Sequence, residues 1–290
     1  MSYVRSDALV STDWLAEHLA APDVRIVDAT WFMPHAKRDA WAEYAACHIP
    51  GAVFFDIDDI ADSDSCLPHM LPTPEKFSSR VRKLGLGDGN RIVVYDANGG
   101  FSAAARVWWM FRVFGHEDIA VLNGGLPKWQ AENRPLEDMP PVVRERHFTA
   151  RVNHFLVRNV VQLIKNADSR KDQVIDARTP GRFAGIEAEP RPCRKQGHMP
   201  GSLNLPFMSL LDADKNLTFR SAEDIADIMS KSGINPAKPM VTSCGSGVTA
   251  AVLALGFYLI GHTDVAVYDG SWSEWGDHPD TPVVGPVVSQ

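Results

Sequence analysis

Short apolar runs alternate along the chain with stretches of helical spacing. Val24 to Ala29, Arg91 to Asp96 and Ile119 to Leu122 are runs of strand length that end on polar or turn residues, the pattern of strands buried in a sheet. Asp13 to Leu19 has the spacing of a short amphipathic helix. Thr73-Pro74-Glu75 opens another, with proline at the first helical position, running towards Leu84 and stopping at Gly85. Ser102 to Phe114 predicts a third, ending at Gly115. Further on, Pro239 to Ser243 predicts a strand. The segment from Ala250 to Gly261 is apolar nearly all round, which predicts a helix packed on every side. Strands alternating with helices imply an α/β fold, with a mainly parallel sheet flanked by helices on both faces.

The pattern occurs twice. Gln173-Val174-Ile175-Asp176-Ala177 repeats Arg25-Ile26-Val27-Asp28-Ala29, and His198-Met199-Pro200-Gly201 repeats His48-Ile49-Pro50-Gly51. Gly261-His262 repeats Gly115-His116, Gly270 repeats Gly124, and Trp275 repeats Trp129. Matched landmarks in the same order at nearly constant offset indicate two tandem copies of one domain. The aperiodic, proline-bearing stretch from Pro135 to Pro141 leads into a linker. The expected division is a first domain over 1–138, a linker over 139–152 and a second domain over 153–290. The offset from the tryptophans sets Asn98-Gly99-Gly100 against Cys244-Gly245-Ser246. Only the second copy then carries a nucleophile, and the first serves as a wall of an inter-domain cleft.

The 290 residues are 45% hydrophobic and 22% charged, enough apolar content for a proper core. A formal net charge of −7 argues against nucleic acid as a partner. No apolar run has the roughly 18 residues of a membrane span. Met1 to Asp7 shows neither a signal-peptide core nor an Arg-rich amphipathic stretch. Cys47, Cys66, Cys193 and Cys244 are widely spaced and form no Cys-x-x-Cys, the usage of free thiols in a reducing compartment. A cytoplasmic protein is expected, without metal or organic cofactor, since no His/Cys cluster and no Gly-x-Gly-x-x-Gly is present.

Cys244 is the thiol in a reactive setting. It sits where a strand ends and a helix begins, where free backbone N–H groups and the helix dipole favour an anion such as a thiolate. The small residues after it allow those N–H groups to form a nest. A phosphatase loop would close with arginine six positions on, and Ala250 stands there. Arg182 and Arg191 fit two descriptions equally well: a carboxylate clamp, or surface arginines paired with Glu187 and Glu189. His48 and His198 recur in both copies, which favours a structural role. Trp272 and Trp275 are expected to pack in the core or between domains, Arg194 and Lys195 to be ordinary surface charge.

The paired His-x-Pro-Gly turns, Asp176-Ala177-Arg178 and the strand–Cys-loop–helix with Gly247-Val248-Thr249 resemble the rhodanese family of sulfurtransferases, across essentially the whole chain. Within it, the loop Cys244-Gly245-Ser246-Gly247-Val248-Thr249 resembles that of 3-mercaptopyruvate sulfurtransferases, as do Gly181-Arg182-Phe183 and Glu189-Pro190-Arg191. Thiosulfate sulfurtransferases typically carry basic residues at the positions of Gly245 and Ser246. The resemblance implies two tandem rhodanese-like domains and sulfur transfer from 3-mercaptopyruvate through a Cys244 persulfide. The acceptor would be a thiol, such as thioredoxin or a small thiol, or cyanide. It implies that Arg182 and Arg191 bind the carboxylate and keto oxygens, and that Gly245, Gly247, Val248 and Thr249 belong to the substrate-binding loop. It also sets Asp58 and His69 beside Ser246 as a proton relay. Thiosulfate:cyanide transfer and a non-enzymatic rhodanese-like interaction module are the alternatives.

Overall fold

The computed structural model describes residues 2–99 and 102–286. Met1 and Gly100, and the last four residues of the expected second domain, lie outside them.

Two five-stranded sheets organise the chain. The first takes its strands from β1 (Leu9–Val10), β2 (Val24–Asp28), β3 (Ala52–Phe54), β4 (Arg91–Tyr95) and β5 (Ile119–Leu122), in the spatial order β1-β5-β4-β2-β3. The second is drawn from β6 (Val157–Arg158), β7 (Gln173–Asp176), β8 (Leu203–Asn204), β11 (Met240–Ser243) and β12 (Ala266–Tyr268). Its order is β6-β12-β11-β7-β8, the same winding repeated. All pairings within both sheets are parallel. A small antiparallel pair, β9 (Leu211–Asp212) with β10 (Thr218–Phe219), is additional to the second copy.

Local chemistry sets the helix starts. The Thr73 hydroxyl accepts the Lys76 N–H ahead of Pro74, and Asn159 and Gln162 close a reciprocal capping box. The repeated landmarks recur as repeated bonds. Trp129 Nε1 donates to the Pro135 carbonyl and Trp275 Nε1 to that of Pro282. His48 and His198 each exchange backbone hydrogen bonds with a distant segment, at Glu137 and Val284.

The two copies meet through their most apolar helices. Every residue of Ala103–Val113 and of Ala250–Leu259 is buried, each helix lying between its own sheet and the other copy. Trp108 meets Tyr258 edge-on at 5.2 Å between ring centres, and the Arg112 guanidinium lies 4.2 Å over the Tyr258 ring. This is why the Ala250 helix shows no polar face. Among the described residues no helix is long and apolar enough to cross a membrane.

The strand register corrects one expectation. Tyr95 is paired with Asp28 at the end of β2, and Ser243 with Asp176 at the end of β7. The next residues, Asp96 and Cys244, are therefore counterparts, and Asn98 is not the residue opposite the cysteine. Their carbonyls receive equivalent bonds, from Leu126 and from Trp272, both 3.0 Å. The first copy is one residue longer in the loop and one residue longer in the helix that follows, so an offset measured downstream overshoots by two at the strand end.

Candidate active site

Cys244 follows β11 at the floor of a cleft of about 190 Å3 and is 2% exposed. Its backbone N–H donates to Ser271 Oγ at 3.1 Å. Gly245 O accepts both the N–H and the hydroxyl of Ser273, each at 2.8 Å. The loop is thus pinned along one side while its other side faces the cleft, where Gly245, Ser246, Val248 and Thr249 join the lining. Gly247 does not. Its φ of +76° leaves no room for a side chain, since an added Cβ would lie 2.7 Å from the Asp269 carbonyl of its own copy and 2.8 Å from Arg106 Nη1 of the first.

The counterpart loop shows what this backbone turn binds. The Asp96 carboxylate accepts the N–H groups of Asn98 (2.8 Å), Ser102 (3.3 Å) and Ala104 (2.9 Å) at the start of the buried helix. An anionic side chain sits in the position that Cys244 takes in the second copy.

Arg182 and Arg191 both line the cleft but are held differently. Arg182 Nε and Nη2 are committed to Glu189. Glu189 is fixed in turn by Arg178 Nη1 at 2.7 Å. Arg178 is buried, doubly bonded to Asp176 and bonded to the Gly197 carbonyl. Burial opposes its charge, yet Asp176 and Glu189 outweigh this and raise its pKa. This chain of ion pairs aims Arg182 at the loop: a Cβ on Gly245 would lie 2.7 Å from Arg182 Nη2. Pairing with Glu189 and facing the cleft, alternatives on the sequence, hold together here.

Arg191 is the hub. Nη1 donates to Ser246 Oγ at 3.2 Å and Nη2 faces His69 Nε2 at 3.1 Å. His69 Nδ1 lies 2.7 Å from Asp58 Oδ1, and Trp31 Nε1 donates to Asp58 Oδ2 at 2.8 Å. Asp58, His69 and Ser246 are therefore brought together, with the Arg191 guanidinium between the last two. Asp58 and His69 are not part of the cleft lining, whereas Trp31 and Met33 of the first copy are. With Nε2 accepting from Arg191, the imidazole keeps its proton on Nδ1, towards Asp58.

Electrostatics agree with a neutral imidazole. Burial lowers the His69 pKa, helped by the Arg106 and Arg191 charges and opposed by Asp58. Burial disfavours the Asp58 carboxylate, but bonds from His69 and Trp31 and the Arg191 charge hold its pKa below the ordinary value. Both depressed groups add stability above their unfolded-state pKa values and lose it as pH falls, His69 first, below about 6.5. Thermal stability is expected to fall from pH 7 to pH 5, and His69→Gln to flatten that slope. An unchanged slope in differential scanning fluorimetry would count against a buried neutral His69.

The structure also brings to the site residues that the sequence reading left outside it. Trp272, expected in the core, is 1% exposed and yet lines the cleft, carrying the Arg178 guanidinium 4.3 Å over its ring. Cys193 lines the same cleft, its thiol donating to the Lys195 carbonyl at 3.1 Å, and burial raises its pKa. Lys195 is not loose surface charge: Nζ donates to the carbonyls of His278 and Thr281.

A family model for the rhodanese-like domain matches residues 11–132 and again 159–278. The chain belongs to the rhodanese family. A human 3-mercaptopyruvate sulfurtransferase is 42% identical over 92% of this chain and 91% of its own. The mitochondrial thiosulfate/3-mercaptopyruvate sulfurtransferase 1 of Arabidopsis thaliana is also 42% identical, over 96% of this chain and 78% of its own. Among solved structures, the 3-mercaptopyruvate sulfotransferase SseA of Escherichia coli superposes with a TM-score of 0.83 at 39% identity, covering 92% of this chain and 99% of that one. The repeated sheet order and the single cysteine loop are thus those of a tandem rhodanese protein.

Proposed function

We propose that the protein is a 3-mercaptopyruvate sulfurtransferase working through a persulfide on Cys244. The Cys244 thiolate attacks the sulfur of 3-mercaptopyruvate, the carbon–sulfur bond breaks, and its electron pair leaves as the pyruvate enolate. The enolate takes up a proton to give pyruvate, and Cys244 holds the transferred sulfur. A thiol acceptor, thioredoxin or a small thiol, or cyanide then removes the outer sulfur and returns Cys244. A reducing compartment such as the cytoplasm suits this cycle, which needs free thiols on both partners; the four cysteines are unpaired.

The observation that carries this reading is where the cations stand. The loop itself is neutral at Gly245 and Ser246, while Arg182 and Arg191 face the cleft beside it. That suits a substrate whose reacting sulfur is separated by carbon atoms from a planar carboxylate, which guanidinium groups bind through paired donors. The cleft is smaller than the roughly 300–1,000 Å3 of drug-sized pockets, in keeping with a three-carbon acid. The thiol proton of the substrate passes by way of Ser246 to His69 Nε2 once the carboxylate draws Arg191 towards itself, and is returned to the enolate carbon as pyruvate forms, leaving the persulfide as its anion. Asp58 orients the imidazole and stabilises its charged form.

Thiosulfate is the second candidate donor, favoured by the rat relative named thiosulfate sulfurtransferase, which is 41% identical. The deciding assay compares pyruvate release from 3-mercaptopyruvate with thiocyanate formation from thiosulfate, both with cyanide as acceptor. A higher kcat/KM is expected with 3-mercaptopyruvate; the reverse order would overturn the donor assignment.

A further inference from the structure

Arg106 lies within the buried helix Ala103–Val113 of the first copy and is wholly buried. Its guanidinium points out of that copy. Nη2 donates to the His69 carbonyl and lies 2.7 Å from Asp269 Oδ1 of the second copy. Nη1 donates to the Gly247 carbonyl in the cysteine loop at 3.3 Å. The flat face of the group rests on Trp109, 4.4 Å from the ring centre. The other oxygen of Asp269 accepts the Leu71 N–H at 2.8 Å. The turn carrying His69 is therefore gripped twice, at its own carbonyl by Arg106 and two residues on by Asp269. The cysteine loop is gripped by the same guanidinium.

Two observations separate this cluster from ordinary packing. His69 has a φ of +60°, a left-handed conformation that a non-glycine residue keeps only where its surroundings enforce it. A buried ion pair adds little net stability over apolar packing of the same volume, so its consequence here is where it fixes groups. The groups it fixes are the His69 turn and Gly247, three residues after Cys244. Neither Arg106 nor Asp269 lines the cleft.

We propose that Arg106, with Asp269 as its counter-ion, is a positioning residue for sulfur transfer. It locks the His69 turn of the first copy onto the Cys244 loop of the second, so that His69 Nε2, Arg191 and Ser246 converge. This rests on the reading that His69 moves the proton during persulfide formation. It also gives the apolar helix of the copy without the cysteine a defined task, because the helix that buries the domain interface carries the residue that aligns the site.

The test uses the full-length protein and the variants Arg106→Gln, His69→Gln and their combination, with 3-mercaptopyruvate and cyanide. Arg106→Gln is expected to lower kcat by about 100-fold, the scale of a misplacement near 1 Å, with KM changed little. Alkylation of Cys244 by iodoacetamide, which needs no histidine, is expected at the wild-type rate. The double variant is expected to be no slower than His69→Gln, since Arg106 acts through His69. Additive losses, or alkylation that slows in step with turnover, would overturn the proposal, the latter by showing that Arg106 merely holds the cysteine loop. A wild-type kcat in Arg106→Gln beside a slow His69→Gln removes the positioning role alone. A wild-type kcat in His69→Gln removes the proton-transfer reading beneath it. Where Arg106→Gln does not fold, Arg106→Lys keeps the charge against Asp269 but loses the fork to His69 and Gly247, and is read against the same outcomes.

Discussion

Cys244→Ser is expected to lower turnover of 3-mercaptopyruvate by roughly 10^4-fold or more, the scale on which loss of a catalytic nucleophile is felt. Serine fits the space with little strain, and its buried hydroxyl costs about 1 kcal/mol of stability where it finds no partner. The loss is therefore chemical rather than a failure to fold. A hydroxyl at neutral pH is a far weaker nucleophile than a thiolate, and the loop offers it no adjacent base. Intact-protein mass spectrometry supplies the second half of the test. Incubation with 3-mercaptopyruvate in the absence of acceptor is expected to add one sulfur, about 32 Da, to the wild type and nothing to Cys244→Ser. Cys193 is the control, because it lines the same cleft. Peptide mapping that finds the added sulfur on Cys193 would overturn the assignment of the nucleophile.

The first copy shows why one cysteine suffices. Asp96 stands at the counterpart position with its carboxylate already satisfied by the loop N–H groups. That carboxylate fills the anion position of the first loop and offers no thiol to take up sulfur. The first copy is left to contribute Trp31, Asp58 and His69 from loops that follow its strands, Trp31 lining the cleft and the other two standing behind Arg191.

Much of this was legible before the structure. The alternation of runs, the repeated Asp-Ala and His-x-Pro-Gly landmarks and the cysteine-led turn are local signals. Local signals survive folding because period and turn chemistry act within a few residues. The counterpart of Cys244 was misplaced because loop length, not landmark order, decides alignment at a strand end. Asp58 and His69 came only from the family resemblance, since no spacing rule links either of them to Ser246 across the domain interface. Arg106 was invisible for a different reason. An arginine in an apolar helix reads as a solvent-facing position, and only the packing of one copy's helix against the other turns Arg106 and Arg112 inward. Trp272 packs in the second copy's core as expected, and its ring also reaches the cleft, which a repeat matched at Trp129 and Trp275 does not signal.

Arg191→Lys is expected to be the most damaging substitution that keeps the charge of the site. On sequence grounds Arg182 and Arg191 are equivalent candidates; the structure makes them unequal. Arg182 spends two nitrogens on Glu189, and that pair sets its direction. Arg191 instead bridges Ser246 and His69 with two different nitrogens, and its charge faces both Asp58 and Cys244. Burial lowers its pKa while those two groups work to raise it, so the cation is held by the site it serves. Lysine keeps the charge near Asp58, which protects folding, but a single ammonium cannot reach both partners and a carboxylate at once. Losing one hydrogen bond of a charged group, about 1.5–3 kcal/mol, corresponds to a drop of roughly 10- to 150-fold in kcat/KM. The drop is expected to fall on both constants, because Arg191 binds the acid and orders the proton path. Removal of the persulfide sulfur by cyanide, measured separately on preloaded enzyme, is expected to change little, since cyanide brings no carboxylate. Unchanged kcat/KM in Arg191→Lys would take Arg191 out of the site and leave Arg182 as the sole carboxylate anchor. A drop confined to KM would keep it as a binding group and remove it from the proton path.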